Sequence, residues 1–355
     1  MLDFRRLEQN CVRDYRKYSD TVAISCAIYH LITKNPEVAN FVGIEHNLQN
    51  SQGKKVTPDL VATYDMDSKG LLFEFKWSLP SREDYLEETI KDIKKYAVPC
   101  SNWRKSSDNV DFHDLVLVCH IDDVSRVVDS VKKLSEDPEY SFLAKEGFAV
   151  WTWTITPPKA GGRKEEFRLF PSYGKTRNQK IENRINQPSG LLFPEDVLTF
   201  LRFLFTFIRE KPPVQYTMTI LIQNVFPSFQ QKPDREYYDI HVDMIYDRAK
   251  SFFPSWHKYD AETIQVKRKW IRDALDTMYD LGLCGKMLQK PDWWKIPIPT
   301  LRTRKSIQEV LCQKISKTQL KRLKAKRGKT PKARPIRPKG PIKEKPLPEF
   351  FKNQQ

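Results

Sequence analysis

The chain has 355 residues, of which 39% are hydrophobic and 12% aromatic, a composition typical of a folded protein and not of a disordered one. Its formal net charge of +16 favours a polyanionic partner. Most of this charge lies near the carboxyl end, because residues 314–345 contain 14 basic residues and 1 acidic residue, or +13 of the +16. The rest of the chain is therefore close to neutral.

Cysteine and apolar patterns exclude several classes of protein. The 6 cysteines are scattered without a CxxC pair, which argues against a zinc knuckle and against a disulfide framework. The apolar segment 191–208 contains Glu195, Asp196 and Arg202, so a buried helix is favoured over a membrane span. We therefore expect an intracellular protein without a membrane span, cytoplasmic or nucleoid-associated, or nuclear in a eukaryotic cell.

The first predicted elements are helices followed by a strand. Residues 2–33 predict two helices, the second of them capped by Ser19 or Asp20. Residues 41–48 then alternate as an extended run, with Glu45 on its polar face.

Residues 57–78, TPDLVATYDMDSKGLLFEFKWS, predict two adjacent strands joined by a tight turn. Asp59 lies near the start of the first strand, and Glu74 and Lys76 lie on the second. Because side chains alternate along a strand, Glu74 and Lys76 project from the same face. Charged residues in an otherwise apolar strand need partners or a function, although a solvated charged edge is the simpler alternative.

The pattern after Lys76 predicts the rest of a first domain, residues 1–175. Residues 81–99 predict a helix that is capped by Ser81 and stopped by Pro99. Further elements follow in alternation: a strand at 113–122, a helix at 124–137, a strand at 147–156 and its hairpin partner at 167–173.

The remaining residues predict a linker, a second domain and a tail. Polar residues 176–190 predict the linker, and residues 193–210 predict a helix with Pro194 in its first turn. The second domain, 191–300, is completed by short helices at 217–229 and 240–253, a long helix at 261–282 and a two-stranded wing at 283–299. This order resembles a winged helix-turn-helix. The basic, proline-rich tail, 301–355, is predicted to be disordered.

The order helix, three strands, helix, strand, with Pro58-Asp59 and Glu74-Phe75-Lys76 on neighbouring strands, resembles the core of the PD-(D/E)xK nuclease superfamily over residues 15–170. The resemblance implies an α/β fold in which a restriction-endonuclease-like mixed sheet is flanked by helices. It also implies hydrolysis of phosphodiester bonds with Mg²⁺ or Mn²⁺ as the cofactor.

The resemblance assigns roles to residues of this chain. Asp59, Glu74 and the Phe75 carbonyl would bind the metal, and Lys76 would orient the attacking water or stabilise the charged transition state. Glu45 is the candidate for a further metal ligand or acid/base group, against the alternative of a strand-surface carboxylate.

Several basic and aromatic residues are candidates for nucleic-acid contact. Lys95 and Tyr96 lie where one branch of the superfamily carries a Gln-xxx-Tyr motif, although Asp92 replaces the glutamine here. The others are in the 261–282 helix and the tail: Lys267, Arg268, Lys269, Arg272, Lys321, Arg322, Lys324, Lys326 and Arg327. For Tyr96 the alternative is packing on the sheet, and for the basic residues it is a solvated or protein-contacting face.

The sequence thus supports two hypotheses of different classes. The first is a metal-dependent DNA endonuclease, alone, as a homodimer or in a larger nucleoprotein assembly. The second is an inactive nucleic-acid-binding or recruitment subunit built on a nuclease-like fold. Retention of Asp59, Glu74 and Lys76 together favours the first.

Overall fold

The computed structural model describes residues 3–104, 109–156, 166–188, 190–194, 207–229, 237–253, 256, 260–287, 289–297 and 307–328. Its helices are α1 (Phe4–Thr33), α2 (Glu83–Lys91), α3 (Val124–Ser135), α4 (Gln179–Ile185), α5 (Val214–Ile220), α6 (Val242–Phe252), α7 (Ala261–Asp280) and α8 (Ile307–Gly328). Its strands are β1 (Phe41–Ile44), β2 (Leu48–Asn50), β3 (Lys55–Val56), β4 (Leu60–Tyr64), β5 (Lys69–Lys76), β6 (Cys100–Ser101), β7 (Phe112–His120), β8 (Phe148–Thr156), β9 (Glu166–Lys175), β10 (Leu191–Pro194), β11 (Tyr237–His241), β12 (Gly285–Lys286) and β13 (Trp293–Pro297). Across these ranges, no helix combines the length and apolar character that crossing a membrane requires.

The main sheet is mixed and has seven strands in the order β1-β4-β5-β7-β8-β9-β10. Strands β1, β4 and β5 are antiparallel neighbours, whereas β5, β7 and β8 run parallel. Parallel neighbours need crossover connections, and α2 and α3 lie in the two crossovers. The predicted α/β class, a mixed sheet with flanking helices, is therefore confirmed.

Both faces of the sheet are buried, which explains the continuous apolar character of its central strands. On β5, Leu71, Phe73 and Phe75 belong to the core that includes α1. Leu72, on the opposite face, belongs to a second core with residues of α2 and α3. Alternation along β5 therefore directs Glu74 and Lys76 toward the α2 side of the sheet.

Gly70, at the start of β5, is covered by the indole ring of Trp103. A Cβ atom at this position would overlap that ring, and Trp103 is buried with its N–H donating to the Cys100 carbonyl at 2.8 Å. We expect Gly70→Ala to lower the free energy of unfolding by about 1–3 kcal/mol, measured by urea denaturation. In a Trp103→Leu background the same change should cost much less. Equal costs in the two backgrounds would show that the ring contact is not responsible.

The amino-terminal residues form one helix, so the prediction of two helices divided at Ser19 or Asp20 is wrong. Tyr18, at the predicted break, is fully buried, and Thr21 Oγ1 donates to the Lys17 carbonyl within the helix at 2.7 Å. A break here would expose an apolar face that runs through both halves of α1.

Residues 176–190, predicted from their polar composition as a linker, contain a helix. Helix α4 lies within this range, and its Ile181 and Ile185 are buried in the same core as α1. Pro194 ends β10, which extends the main sheet next to β9, so it does not begin a helix. Residues 195–206 of the predicted 193–210 helix lie outside the described residues.

The carboxyl-terminal part contains the predicted helices and wing. Strands β12 and β13 pair antiparallel, and β11 adds a third strand on the other side of β13. Gly282 follows α7 with a φ of 67°, as predicted for a helix end. The assignment of this part as a winged-helix domain, and the division of the chain into two domains, stay predictions.

The basic tail is not irregular throughout, because residues 307–328 form α8. Its Leu311, Cys312 and Ile315 are buried in the core shared with α1. The prediction of disorder from residue 301 is corrected for this segment, since three apolar side chains at helical spacing attach it to the body. Residues 329–355 lie outside the described range.

Candidate active site

Asp59, Glu74 and Lys76 lie together at one end of the β4–β5 hairpin. Leu60 pairs with Phe73, which sets Asp59, directly before β4, beside Glu74 on β5. Lys76 Nζ lies 2.9 Å from Glu74 Oε1. We refer to Asp59, Glu74 and Lys76 as the carboxylate–lysine cluster.

Asp59 is held by two main-chain hydrogen bonds. Its Oδ2 accepts from Phe75 N at 2.8 Å, and its Oδ1 accepts from Arg209 N at 2.7 Å. The side chain is buried, and burial together with the neighbouring charge of Glu74 raises the pKa of Asp59 to about 7. A cation bound nearby would therefore stabilise the ionised form of Asp59.

Glu74 is buried but is surrounded by donors. Besides Lys76, the hydroxyl of Tyr96 donates to its Oε2 at 3.2 Å. Burial alone would raise the pKa of Glu74, but the charges of Lys76, Lys95 and Arg209 outweigh it and hold this pKa below its usual value. Glu74 is thus an anion at neutral pH.

Lys76 is held in its charged form. Burial opposes the charge, but the carboxylates of Glu74, Glu210 and Asp59 outweigh it and raise the pKa of Lys76 above its usual range. A lysine that stays protonated can stabilise negative charge on a phosphate, whereas it does not act as a general base at neutral pH.

Glu210 is a site residue that the sequence did not reveal. Its Oε2 accepts from Trp77 N at 3.1 Å, directly after β5. Burial raises the pKa of Glu210 to about 7, against the opposing charge of Lys76. In the sequence Glu210 only ends an apolar run and lies 133 residues from Trp77, so no local pattern indicates this contact.

Arg209, the neighbour of Glu210, contacts the site with both its main chain and its side chain. In addition to the bond from its N–H to Asp59, its guanidinium donates to the Thr57 carbonyl and, at 3.1 Å, to the hydroxyl of Tyr96. The Tyr96 hydroxyl also lies 3.2 Å from the Thr57 carbonyl. Arg209 therefore joins residues 207–211 to the carboxylate–lysine cluster.

Tyr96 and Lys95 occupy different environments. Tyr96 is fully buried, so it packs on the sheet and orients Glu74, and it is not placed to touch a phosphate directly. Lys95 is exposed, with its ammonium 4.9 Å from the centre of the Tyr96 ring. Phosphate contact by Lys95 stays a prediction.

Glu45 does not lie on a strand face as predicted. It directly follows β1 and has a φ of 43°, an unusual conformation for a residue other than glycine. Its N–H donates to the Asp59 carbonyl at 2.9 Å, but its carboxylate is directed to Lys267, with Glu45 Oε1 and Lys267 Nζ 3.4 Å apart. Glu45 is therefore the buried partner of Lys267, and its role as a metal ligand or acid/base group stays a prediction.

The predicted recognition helix is also partly corrected. The side chain of Lys267 is 1% exposed and its ammonium lies 3.9 Å from the centre of the Trp270 ring, so it cannot reach a DNA phosphate. Arg268 pairs with Asp243 at 2.9 Å, and Arg272 forms two 3.0 Å hydrogen bonds with Asp292. Lys269 is exposed.

The basic residues predicted to bind DNA from the tail lie on α8. Lys321, Arg322 and Lys324 are exposed, and Arg322 Nη2 lies 2.6 Å from Asp280 Oδ2 at the end of α7. Lys326 and Arg327 belong to the last turn of α8. Lys321, Arg322 and Lys324 form a basic helical surface, and its contact with DNA stays a prediction.

Asp59 and Glu74 are the two carboxylates of the predicted metal site that the structure brings together in the carboxylate–lysine cluster. Within the described ranges, no group of three or more His, Cys, Asp or Glu side chains is arranged to hold a metal ion. Mg²⁺ commonly binds through one or two carboxylates and several waters, which two carboxylates satisfy. The main-chain N–H of Phe75 bonds to Asp59, and a metal contact through the Phe75 carbonyl stays a prediction.

Comparison with known proteins adds no relative: no family model, curated protein or solved structure matches the chain. The chemistry of the site must therefore be inferred from its own residues. Their arrangement offers two buried carboxylates, a protonated lysine and an arginine within a few ångströms of one another.

Proposed function

We propose that the protein is a metal-dependent DNA endonuclease with the carboxylate–lysine cluster as its active site. The observation that carries this proposal is the meeting of Asp59, Glu74 and Lys76 at one end of a buried hairpin. The order α1, the antiparallel main-sheet strands β1, β4 and β5, α2 and the parallel strand β7 is the one expected from the resemblance to the PD-(D/E)xK superfamily, with the short strands β2 and β3 inserted between β1 and β4.

Each residue of the cluster has a role in phosphodiester hydrolysis. Asp59 and Glu74 would hold Mg²⁺ or Mn²⁺, which when bound supplies a Lewis acid and a water of lowered pKa. Lys76, kept protonated by the carboxylates around it, stabilises the charge that develops on the phosphate. Tyr96 fixes the orientation of Glu74 through its hydroxyl.

DNA binding is assigned to surfaces outside the cluster. Strands β11–β13 with α6 and α7 form the winged-helix-like part of the proposal, and exposed Lys269 is its candidate phosphate contact. The basic surface of α8 adds sequence-independent affinity.

The test is a cleavage assay of the full chain on linear, circular, single-stranded, flapped and junction DNA, with Mg²⁺, Mn²⁺ or EDTA. We expect cleavage of at least one substrate that EDTA abolishes. DNA binding without cleavage on every substrate would favour the inactive binding subunit instead.

Metal binding provides a second test that does not depend on cleavage. Because burial and Glu74 raise the pKa of Asp59 to about 7, Mn²⁺ must displace a proton, and its affinity should fall as the pH drops from about 8 to about 6. In calorimetry, Asp59→Asn should lose Mn²⁺ binding at both pH values. Asp129→Asn, an exposed control on α3, should bind Mn²⁺ as the wild type does. Equal Mn²⁺ binding by Asp59→Asn and the wild type would show that Asp59 is not a metal ligand.

A further inference from the structure

Residues 209–211 are hydrogen-bonded to Asp59 of the carboxylate–lysine cluster and to Trp77, which directly follows β5. Arg209 N donates to Asp59, Glu210 accepts from Trp77 N, and the Trp77 indole donates to the Lys211 carbonyl at 3.2 Å. A segment far away in the sequence is thus part of the wall of the site.

The Arg209 side chain is held by hydrogen bonds although the residue is exposed. One guanidinium nitrogen, Nη1, is committed to the Thr57 carbonyl and the Tyr96 hydroxyl. A guanidinium carries five N–H donors in one plane, so the bonds from Nη1 fix this plane and leave its other edge for a further acceptor. A long exposed side chain loses conformational entropy when a ligand fixes it. Because the Arg209 guanidinium is already fixed in the free protein, ligand binding would cost less entropy at this residue.

The charges around Arg209 indicate the chemistry of that acceptor. Burial opposes the charge of Arg209, but Tyr96 and the carboxylates of Glu74 and Asp59 outweigh it and raise the pKa of Arg209, while Lys76 and Lys95 add positive charge close to Glu74. If Asp59 and Glu74 hold the divalent cation of the proposed function, a planar donor near two lysines would suit the oxygens of a phosphate, which arginine binds through two parallel hydrogen bonds.

We propose that Arg209 binds a backbone phosphate of the nucleic acid at the mouth of the carboxylate–lysine cluster. This inference rests on the proposed function for its choice of ligand. The segment 207–211 would then contact the substrate directly, in addition to the residues of the hairpin motif.

The test measures duplex binding by the full chain across a series of salt concentrations. All proteins carry Glu74→Gln so that the DNA stays intact, and a fluorescent 20-base-pair duplex is the probe (about two turns of helix). Arg209→Gln should weaken binding roughly 10-fold and reduce the slope of log affinity against log salt by about 0.9, the value for one lost phosphate contact. Arg209→Lys keeps the charge and should retain the slope while losing part of the affinity.

The control is Arg184→Gln, because Arg184 is an exposed arginine on α4 that pairs with Glu37. It should leave affinity and slope unchanged. If Arg209→Gln reduces the affinity but leaves the slope unchanged, Arg209 has only a structural role and the proposal is overturned. Unchanged affinity of Arg209→Gln would also overturn it, as would a full chain that binds no duplex. If Arg209→Gln does not fold, Arg209→Lys decides, and unchanged affinity in that variant overturns the proposal.

The cleavage assay separates this inference from the proposed function. If the wild-type chain cuts no DNA while Arg209→Gln lowers the slope of log affinity against log salt, the nuclease proposal fails. The phosphate-binding role of Arg209 is then retained. If the wild type cuts DNA while Arg209→Gln binds the duplex normally, the nuclease proposal is supported and the phosphate-binding role of Arg209 is refuted.

Discussion

Glu74→Gln is expected to reduce metal-dependent DNA cleavage by about 100-fold or more. Glutamine keeps the shape of the side chain and its hydrogen bond from Tyr96, but it removes the charge that Lys76 contacts at 2.9 Å and that a cation would need. Changes to groups that only orient a metal ligand already cost about 10–100-fold, and loss of a ligand charge costs at least as much. Initial rates at saturating Mg²⁺ measure the effect.

Glu88→Gln is the matched control, since Glu88 is an exposed glutamate on α2. It should cleave at the wild-type rate. Lys76→Met should lose about 100–1,000-fold, the cost of removing one group that stabilises transition-state charge. Wild-type rates for both Glu74→Gln and Lys76→Met would refute the assignment of the active site.

Lys267→Met is expected to lower the free energy of unfolding by about 3–5 kcal/mol, the largest effect on stability. The side chains of Lys267 and Glu45 are 1% and 2% exposed, so removing the ammonium leaves a buried carboxylate without its partner. Burial already lowers the pKa of Lys267, and the charge of Glu45 partly restores it. Urea unfolding followed by tryptophan fluorescence measures the loss.

Lys269→Met, two positions along α7 and exposed, is the control and should change stability by no more than about 0.5 kcal/mol. The double variant Glu45→Gln, Lys267→Met should recover much of the loss, because no unpaired charge remains buried. Similar costs for Lys267→Met and Lys269→Met would contradict the buried pair.

The sequence predicted the hairpin well because its information is local. Period-two alternation places Glu74 and Lys76 on one face, and the turn between the strands is short, with positive φ at Asp65, Met66 and Asp67. Local rules of this kind determine strand, turn and register together.

The partners of the hairpin could not be predicted in the same way. Arg209 lies 150 residues from Asp59, and Lys267 lies 222 residues from Glu45. Periodicity reports which face of an element is buried, but not which distant element covers it. A basic run such as Lys267 to Lys269 therefore reads as a surface, although one of its lysines is interior.

In the predicted linker and the basic tail, the polar and basic composition does not predict a helix, whereas the spacing of the apolar residues indicates one. The predicted linker contains Ile181 and Ile185 four positions apart, and the basic tail contains Leu311, Cys312 and Ile315. Both patterns fit one buried helical face, but the surrounding polar and basic residues favoured an irregular chain.

The bond from Arg209 N to Asp59 has a consequence for synthesis of the protein. The 150 residues between these two positions take roughly 8–30 s to translate at about 5–20 residues per second. Throughout that interval the growing chain carries Asp59 without one of its two main-chain donors. The ribosome therefore releases a complete hairpin long before it releases a complete site, and the carboxylate geometry is finished only late in synthesis.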